Sequence, residues 1–407
     1  MPFIFPASAT ADSRRLIITR ALRGIGDGVV SVLLASYLSA IGLSPTQIGV
    51  IIFATLFGSA LVTLWAGFAT RTIGTRRMFL GAAALMIATG LGFTYARSFW
   101  MLVLVGFVGT MNPSAGDVSL FLPLEQTAIS QTVATRDLTS VFAFYNVAGA
   151  LGGAFGALAS GLPTTIAARF GWDLVAAQRS GFLAYSLLGV IAAAIYWSLS
   201  DAVEAAPTPK KIAPLAQSRP IVLRLAALFS IDAFGGGFAI QSLLALWLFR
   251  RFHMSIQAAG TFFFVAGLLG SFSQFISPRL AARFGRINTM AYTHIPANIF
   301  VILAALMPTA PLAIMFLLLR ASMSSMDVPA RQSYVMAVVP PEERAAAASV
   351  TNVPRSLASA AAPVPAGMML DVTSFGWPLI CCGGLKIIYD VLLLLQFRAH
   401  RPEDEKV

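Results

Sequence analysis

The chain has 407 residues, of which 57% are hydrophobic and only 11% charged, with a formal net charge of +11. A mean hydropathy of +0.79 is too high for a soluble domain, which needs a polar surface. The basic residues fall in short loops between apolar runs rather than on one face of a soluble fold, which argues against nucleic-acid binding in spite of the charge.

Residues 1–13 lack the succession of charge, apolar stretch and small residues that marks a cleaved signal peptide, so Arg14 and Arg15 are expected to flank the first span directly. A helix of about 20 apolar residues is what a hydrocarbon core ~30 Å thick requires. Runs of that length are predicted at 16–41, 47–69, 78–95, 99–124, 138–162 and 180–199, and again at 221–249, 258–280, 289–307, 311–335, 345–370 and 377–395. The fold class expected is therefore an all-α membrane protein with twelve transmembrane helices. Little chain remains for an extramembrane active site, and no enzyme is expected.

Lysine and arginine set the orientation, because short loops rich in them stay on the cytoplasmic side. Arg14 and Arg15, Arg71 with Arg76 and Arg77, Lys210 with Lys211 and Arg219, Arg279 with Arg283 and Arg286, and Arg398 with Arg401 and Lys406 all fall on one side. Both termini are thus expected in the cytoplasm. The stretch 201–219 carries Pro207, Pro209 and Pro214 with two lysines, a linker composition. It divides the chain into an N-terminal half (1–200) and a C-terminal half (220–407).

The halves echo each other. A shift of 211 positions pairs Ser44 with Ser255, Gly49 with Gly260, Phe53 with Phe264 and Gly74 with Gly285. A shift of 206 pairs Pro123 with Pro329, Gln126 with Gln332, Asn146 with Asn352 and Gly161 with Gly367. Such order is expected of two six-helix halves related by an axis along the membrane normal.

The loop after the second run reads Gly67-Phe68-Ala69-Thr70-Arg71-Thr72-Ile73-Gly74-Thr75-Arg76-Arg77, and its second copy keeps Arg283, Gly285 and Arg286. On these residues and the repeat, the whole chain resembles the major facilitator superfamily. The family's loop carries an aspartate where Arg71 stands, and neither copy here has an acid. Gly149, Gly152, Gly153, Gly156 and Gly161 look like a loose form of the glycine-rich motif of the family's drug/proton antiporters, without its Gly-Pro pair. Close helix packing is the alternative use of such glycines. The resemblance implies the major facilitator fold, with a central cavity lined by spans one, four, seven and ten, and a gating role for Arg71, Gly74, Arg76, Arg77, Arg283 and Gly285.

An ionised side chain at mid-bilayer costs ~3 kcal/mol on insertion scales and needs a partner or a cavity. In span one Arg20, Arg23 and Asp27 share a helical face at i, i+3 and i+7, either as a binding or proton site or as a structural pair of Arg23 with Asp27. Span four brings Asn112 and Asp117 around Pro113, and Glu125 at its cytoplasmic end matches Arg331 in the repeat, a candidate gate. Span seven places Asp232 before three glycines and Gln241 beyond them. Span ten carries a polar stripe of Arg320, Ser324, Asp327 and Arg331, with Asp327 and Arg331 able to neutralise each other. Arg355 has no partner within its own helix and is the preferred site for an anion. Lys386 and Asp390 read as a self-neutralising pair, and His294 as a lone structural histidine.

No phosphate-binding loop, metal-ligand spacing or nucleophile triad is present, and no cofactor or metal is expected. Cys381 and Cys382 are adjacent and suggest no disulfide framework. The function expected is secondary active transport of a small organic solute by alternating access, with protons as coupling ion and the lipid bilayer as setting. Proton-coupled efflux is the first expectation and proton-coupled uptake of an organic anion or nutrient the alternative. A monomer in the bacterial cytoplasmic membrane is expected.

Overall fold

The computed structural model describes residues 9–114, 120–134, 137–204, 215–340 and 342–398, with the side chains of 67–72, 139 and 345 outside that description. A hydrocarbon core supplies no water to backbone N–H and C=O groups, so long apolar segments satisfy them internally as helices. Among the described residues there is no strand. Two compact units result: Met1–Thr208 with Ser255–Phe264, and Pro209–Met254 with Val265–Val407.

The helices before the linker are α1 (Ala11–Ala40), α2 (Pro45–Ile73), α3 (Thr75–Tyr95), α4 (Phe99–Val108), α5 (Phe121–Thr132), α6 (Leu138–Ala159), α7 (Leu162–Phe170) and α8 (Leu174–Trp197). After it come α9 (Arg219–Gly237), α10 (Gln241–Phe252), α11 (Ile256–Gln274), α12 (Ser277–Phe284), α13 (Arg286–Leu306), α14 (Ala310–Ala321), α15 (Asp327–Ala337), α16 (Arg344–Ala361), α17 (Pro363–Val372) and α18 (Trp377–Phe397).

Among the described residues, eight stretches are long and apolar enough to cross a membrane: Pro45–Ala66, Thr75–Tyr95, Ser140–Phe170, Leu174–Trp197, Arg219–Phe252, Ile256–Gln274, Arg286–Leu306 and Trp377–Phe397. Four of the twelve predicted runs do not reach that measure among the described residues, each being either charge-laden or interrupted. Run 16–41 lies in α1, a 30-residue helix laden with Arg14, Arg15, Arg20, Arg23 and Asp27. Run 99–124 breaks after α4 where Gly109 and Pro113 interrupt it, and run 311–335 breaks between α14 and α15. Run 345–370 is split at Pro363, which has no N–H to continue α16.

In the first unit α1 packs on α6 at backbone distance. A Cβ on Gly24 would stand 2.6 Å from the Gly149 carbonyl oxygen, and one on Gly28 would overlap the Gly153 carbonyl. Gly152 and Gly156 of α6 meet the carbonyls of Ala21 and Ile25 in the same way. Small residues facing each other allow this approach, a common basis of helix association in bilayers. Packing against α1 therefore accounts for Gly149, Gly152 and Gly156 of α6. α3 and α8 are joined by stacked rings, Phe79 on Tyr196 at 4.6 Å and Phe93 on Phe182 at 5.5 Å. The second unit has its core around Val222, Leu225 and Phe229 of α9, Met290 of α13, Tyr334 of α15 and Tyr389 and Leu393 of α18.

Carboxylates from distant sequence hold two of the helix starts that carry no capping side chain. Gly74 and Gly285 open α3 and α13 with φ of 89° and 83°, where a side chain would be strained. The Glu204 carboxylate accepts from the amides of Thr75 and Arg76 at 2.8 and 2.7 Å. An acid, which the loop lacks at position 71, is thus supplied to the start of α3 by the beginning of the linker. Glu343 does the same before α9, accepting from the amides of Ala216, Gln217 and Ser218 at 3.1, 3.0 and 3.1 Å and from the Ser218 hydroxyl. Negative charge at these ends meets unpaired N–H groups and the positive end of the helix dipole.

Candidate functional site

Burying a charge requires partners, so the buried charges reveal how each unit is tied together. In the first unit the centre is Glu125, which is fully buried. Its carboxylate pairs with Arg23 and accepts from Thr19 Oγ1 at 2.9 Å and from the Tyr145 and Tyr196 hydroxyls at 2.6 Å each. Those donors come from α1, α6 and α8 and converge on α5. Arg23 also lies over the Phe121 ring at 4.2 Å, and Arg20 over the Tyr145 ring at 5.3 Å. A carboxylate has about four acceptor positions, and those of Glu125 are taken.

Arg23 therefore pairs with Glu125 rather than with Asp27. Asp27 is half-buried, feels the charges of Arg23 and Arg20, and makes no hydrogen bond or ion pair among the described residues. Asn112 is buried in the break after α4, where its Oδ1 accepts from the amide and hydroxyl of Ser114 at 3.1 and 2.7 Å. Asp117 and the Arg71 side chain lie outside the described residues. Arg76 donates to the Trp197 carbonyl and stands 3.7 Å from Asp201, while Arg77 and Arg283 are exposed.

The second unit gathers a larger network. Asp232 of α9 receives Lys386 Nζ of α18 at 2.6 Å and Arg331 of α15 at 3.5 Å. Arg331 also binds Asp327 at 2.9 Å, the neutralisation expected from their spacing. Asp390 of α18 contacts His294 Nδ1 at 3.0 Å and accepts from Asn298 Nδ2 at 3.1 Å. The other ring nitrogen of His294 stands 3.9 Å from Asp232. All of these side chains except Asn298 titrate or carry charge, and all are at most about a tenth exposed.

Two sequence expectations are corrected here. Lys386 and Asp390 do not neutralise each other: Lys386 reaches Asp232 of α9, one turn along the helix from where Asp390 meets His294 of α13. His294 is not a lone histidine but bridges two carboxylates. Arg355 of α16 is half-buried, and its charge acts on Asp232 and Arg331, yet it makes no hydrogen bond or ion pair among the described residues and its Nε is buried without an acceptor. Arg320 of α14 is in the same condition, its charge reaching Cys382. Gln241 is half-buried at the start of α10, beyond the break that follows the three glycines of α9.

Thr19, Tyr145, Tyr196, Glu204, Asn298 and Glu343 were not singled out by the sequence. The tyrosines gave no signal, since their hydroxyls find Glu125 only through the fold. Glu204 had one: a glycine-started helix with no capping side chain needs an acceptor from elsewhere.

The Major Facilitator Superfamily model matches residues 16–363. The chain belongs to the major facilitator superfamily. This member is 25% identical over 423 residues to a Saccharomyces cerevisiae protein described as "Uncharacterized membrane protein YJR124C", covering 96% of this chain and 94% of that one. Its fold is similar to that of a point mutant of the nucleoside transporter NupG, with TM-score 0.75 at 13% identity over 95% of this chain and 100% of that chain. A bacterial homologue of the human lysosomal transporter Spinster, inward-facing and unoccupied, superposes with TM-score 0.72 at 17% identity, covering 96% and 97% of the two chains. A D-xylose–proton symporter gives TM-score 0.73 at 14% identity, covering 93% and 97%. This facilitator is thus an integral multi-pass membrane protein of a transporter family, with the fold of secondary transporters.

Proposed function

We propose that this facilitator is a proton-coupled secondary transporter that carries a small organic anion together with a proton, as a monomer of two six-helix halves with twelve spans and both termini in the cytoplasm. The halves are 1–200 and 220–407, joined by the linker 201–219. The observation that carries the reading is the charge balance of the second unit. Asp232, Asp327 and Asp390 face Lys386, Arg331 and Arg355, and Arg355 alone of the three cations makes no ion pair among the described residues. A guanidinium with its fork of donors open is suited to a carboxylate or similar anionic group. Arg320 adds a further cation for an elongated solute, and Gln241 a polar contact. Glu125 and Arg331 then hold their own units together, while Gly74, Arg76, Arg77, Arg283 and Gly285, with Arg71, form the cytoplasmic hinge loops.

The test is flux in proteoliposomes under an imposed pH gradient, with a panel of labelled carboxylates, amines and neutral solutes. Accumulation of a carboxylate driven by an inward proton gradient supports the reading, and carriage of amines alone sinks it. A second reading is proton-coupled efflux of a cationic or amphipathic solute in the cytoplasmic membrane of a bacterium, favoured by the half-buried Asp27, which has no partner among the described residues. It predicts that the outward flux of amines, not carboxylates, responds to the gradient, and that Asp27→Asn abolishes the response.

A further inference from the structure

The buried pair of His294 and Asp390 lies on α13 and α18, helices other than the cavity-lining quartet that the resemblance implies, and packs against Asp232 of α9. Its geometry fixes a tautomer. An ionised carboxylate only accepts, so the Nδ1 atom that faces Asp390 at 3.0 Å carries the hydrogen of the neutral imidazole. The free lone pair is then on Nε2, which faces Asp232 Oδ1 at 3.9 Å. Asn298 donates to the second oxygen of Asp390 at 3.1 Å and keeps that carboxylate in place. Tyr389 closes the other side, its ring edge-on to the imidazole at 6.1 Å between centroids.

The surroundings make a proton on Nε2 consequential. α18 presents Lys386, Tyr389 and Asp390, α9 presents Asp232, α15 presents Asp327, Arg331 and Tyr334, α16 presents Arg355 and α14 presents Arg320. Arg286 starts α13 itself, and the exposed Arg279 and Arg283 of α12 make no pair with His294. Three carboxylates face three fixed cations around a neutral imidazole, with Arg320 beyond them. A proton on Nε2 adds a charge that no carboxylate matches. It also makes His294 a second cation on Asp232 Oδ1, the oxygen that Lys386 holds at 2.6 Å. Asp232 is then oversupplied, and Arg331 and Arg355 are left with Asp327 between them.

We infer that His294 is the proton-carrying group of the transport cycle, and that its protonation at Nε2 charges the network so that an organic monoanion binds at Arg355. The inference rests on the proton-coupled reading above and adds its site and stoichiometry: one proton enters at Nε2 with one anionic charge, and both leave on the other side. Histidine suits the task because its charge ordinarily changes between pH 5 and 8.

Two measurements separate this inference from the reading beneath it. The chain has three histidines, so His253→Gln with His400→Gln leaves one imidazole for nitrogen-15 NMR in lipid nanodiscs, with no substrate needed. The imidazole is expected to gain its second N–H, at Nε2, when the pH is lowered, and Asp390→Asn to alter that response while Asp173→Asn, at the exposed cap of α8, does not. An imidazole that keeps one form throughout, or titrates identically in Asp390→Asn, overturns the inference whatever is transported. In proteoliposomes, His294→Gln is expected to lose a roughly tenfold or greater pH dependence of carboxylate flux between pH 5 and 8. A His294→Gln protein with wild-type pH dependence overturns it even if the NMR titration is seen. If no panel member is carried by the wild type while the titration behaves as stated, the transport reading fails and the proton site stands.

Discussion

Removing the Glu125 carboxylate tests whether the first unit is tied together as described. In Glu125→Gln the Arg23 guanidinium, 2% exposed, loses the carboxylate that pairs with it and keeps the Phe121 face beneath it. Breaking a buried pair by removing one member costs about 3–5 kcal/mol, because the other charge stays desolvated. In Arg23→Gln the carboxylate still receives Thr19, Tyr145 and Tyr196 at 2.6–2.9 Å, so the loss should be smaller, about 1–3 kcal/mol. The double variant should recover at least about 1 kcal/mol relative to the sum, as expected for contacting residues. Unfolding of the purified protein in mixed micelles, followed by tryptophan fluorescence for all four proteins, measures the cycle. Additive effects, or a Glu125→Gln protein within about 0.5 kcal/mol of wild type, would refute the reasoning. Because Glu125 and Arg331 each have partners inside their own units, Arg331→Glu should not rescue Glu125→Arg. Rescue would restore the gate that their positions in the repeat suggest.

Gly28→Val should destabilise the protein by about 1–3 kcal/mol, the usual cost of overpacking, since its side chain would overlap the Gly153 carbonyl; Gly81→Ala, with open space around a new Cβ, is the neutral control in the same thermal assay. Arg355→Gln should raise the half-saturating concentration of a transported carboxylate by about 10–100-fold, the loss of one charge-assisted interaction of about 1.5–3 kcal/mol, and Arg355→Lys should lie between; radiolabel uptake decides. The Ser218 hydroxyl and the amides of Ser218, Ala216 and Gln217 hold the Glu343 carboxyl below its ordinary value of 4.5. Its contribution is therefore complete above that value and is lost as pH falls through the lower folded one. The stability difference between wild type and Glu343→Gln should accordingly shrink below pH ~4, and a difference constant from about pH 3 to 7 would contradict that role.

The helical class and the family were legible because apolar length and the glycine-basic loops are local signals. Span continuity was less so. Run 99–124 looked unbroken, yet Gly109 and Pro113 end the helix, and Asn112 and Ser114 satisfy each other in the gap. Among the charges, spacing predicted only what one helix decides by itself. Asp327 and Arg331 pair as their i, i+4 positions imply. Lys386 and Asp390 have the same spacing and do not, because α9 offers Lys386 a carboxylate and α13 offers Asp390 a histidine. Partners supplied by another helix, such as Glu125 for Arg23 or Glu204 for the start of α3, depend on packing that no local pattern encodes.

The central claim is that a proton and an organic anion move together. Its most direct measurement records the two at once in the same proteoliposomes, with a trapped pH dye reporting the lumen and a radiolabel reporting the carboxylate that the panel identifies. The account predicts that carboxylate entry acidifies the lumen, that both signals vanish without protein, and that Arg355→Gln lowers them in parallel. Carboxylate entry with no change in luminal pH, or with alkalinisation, would contradict it.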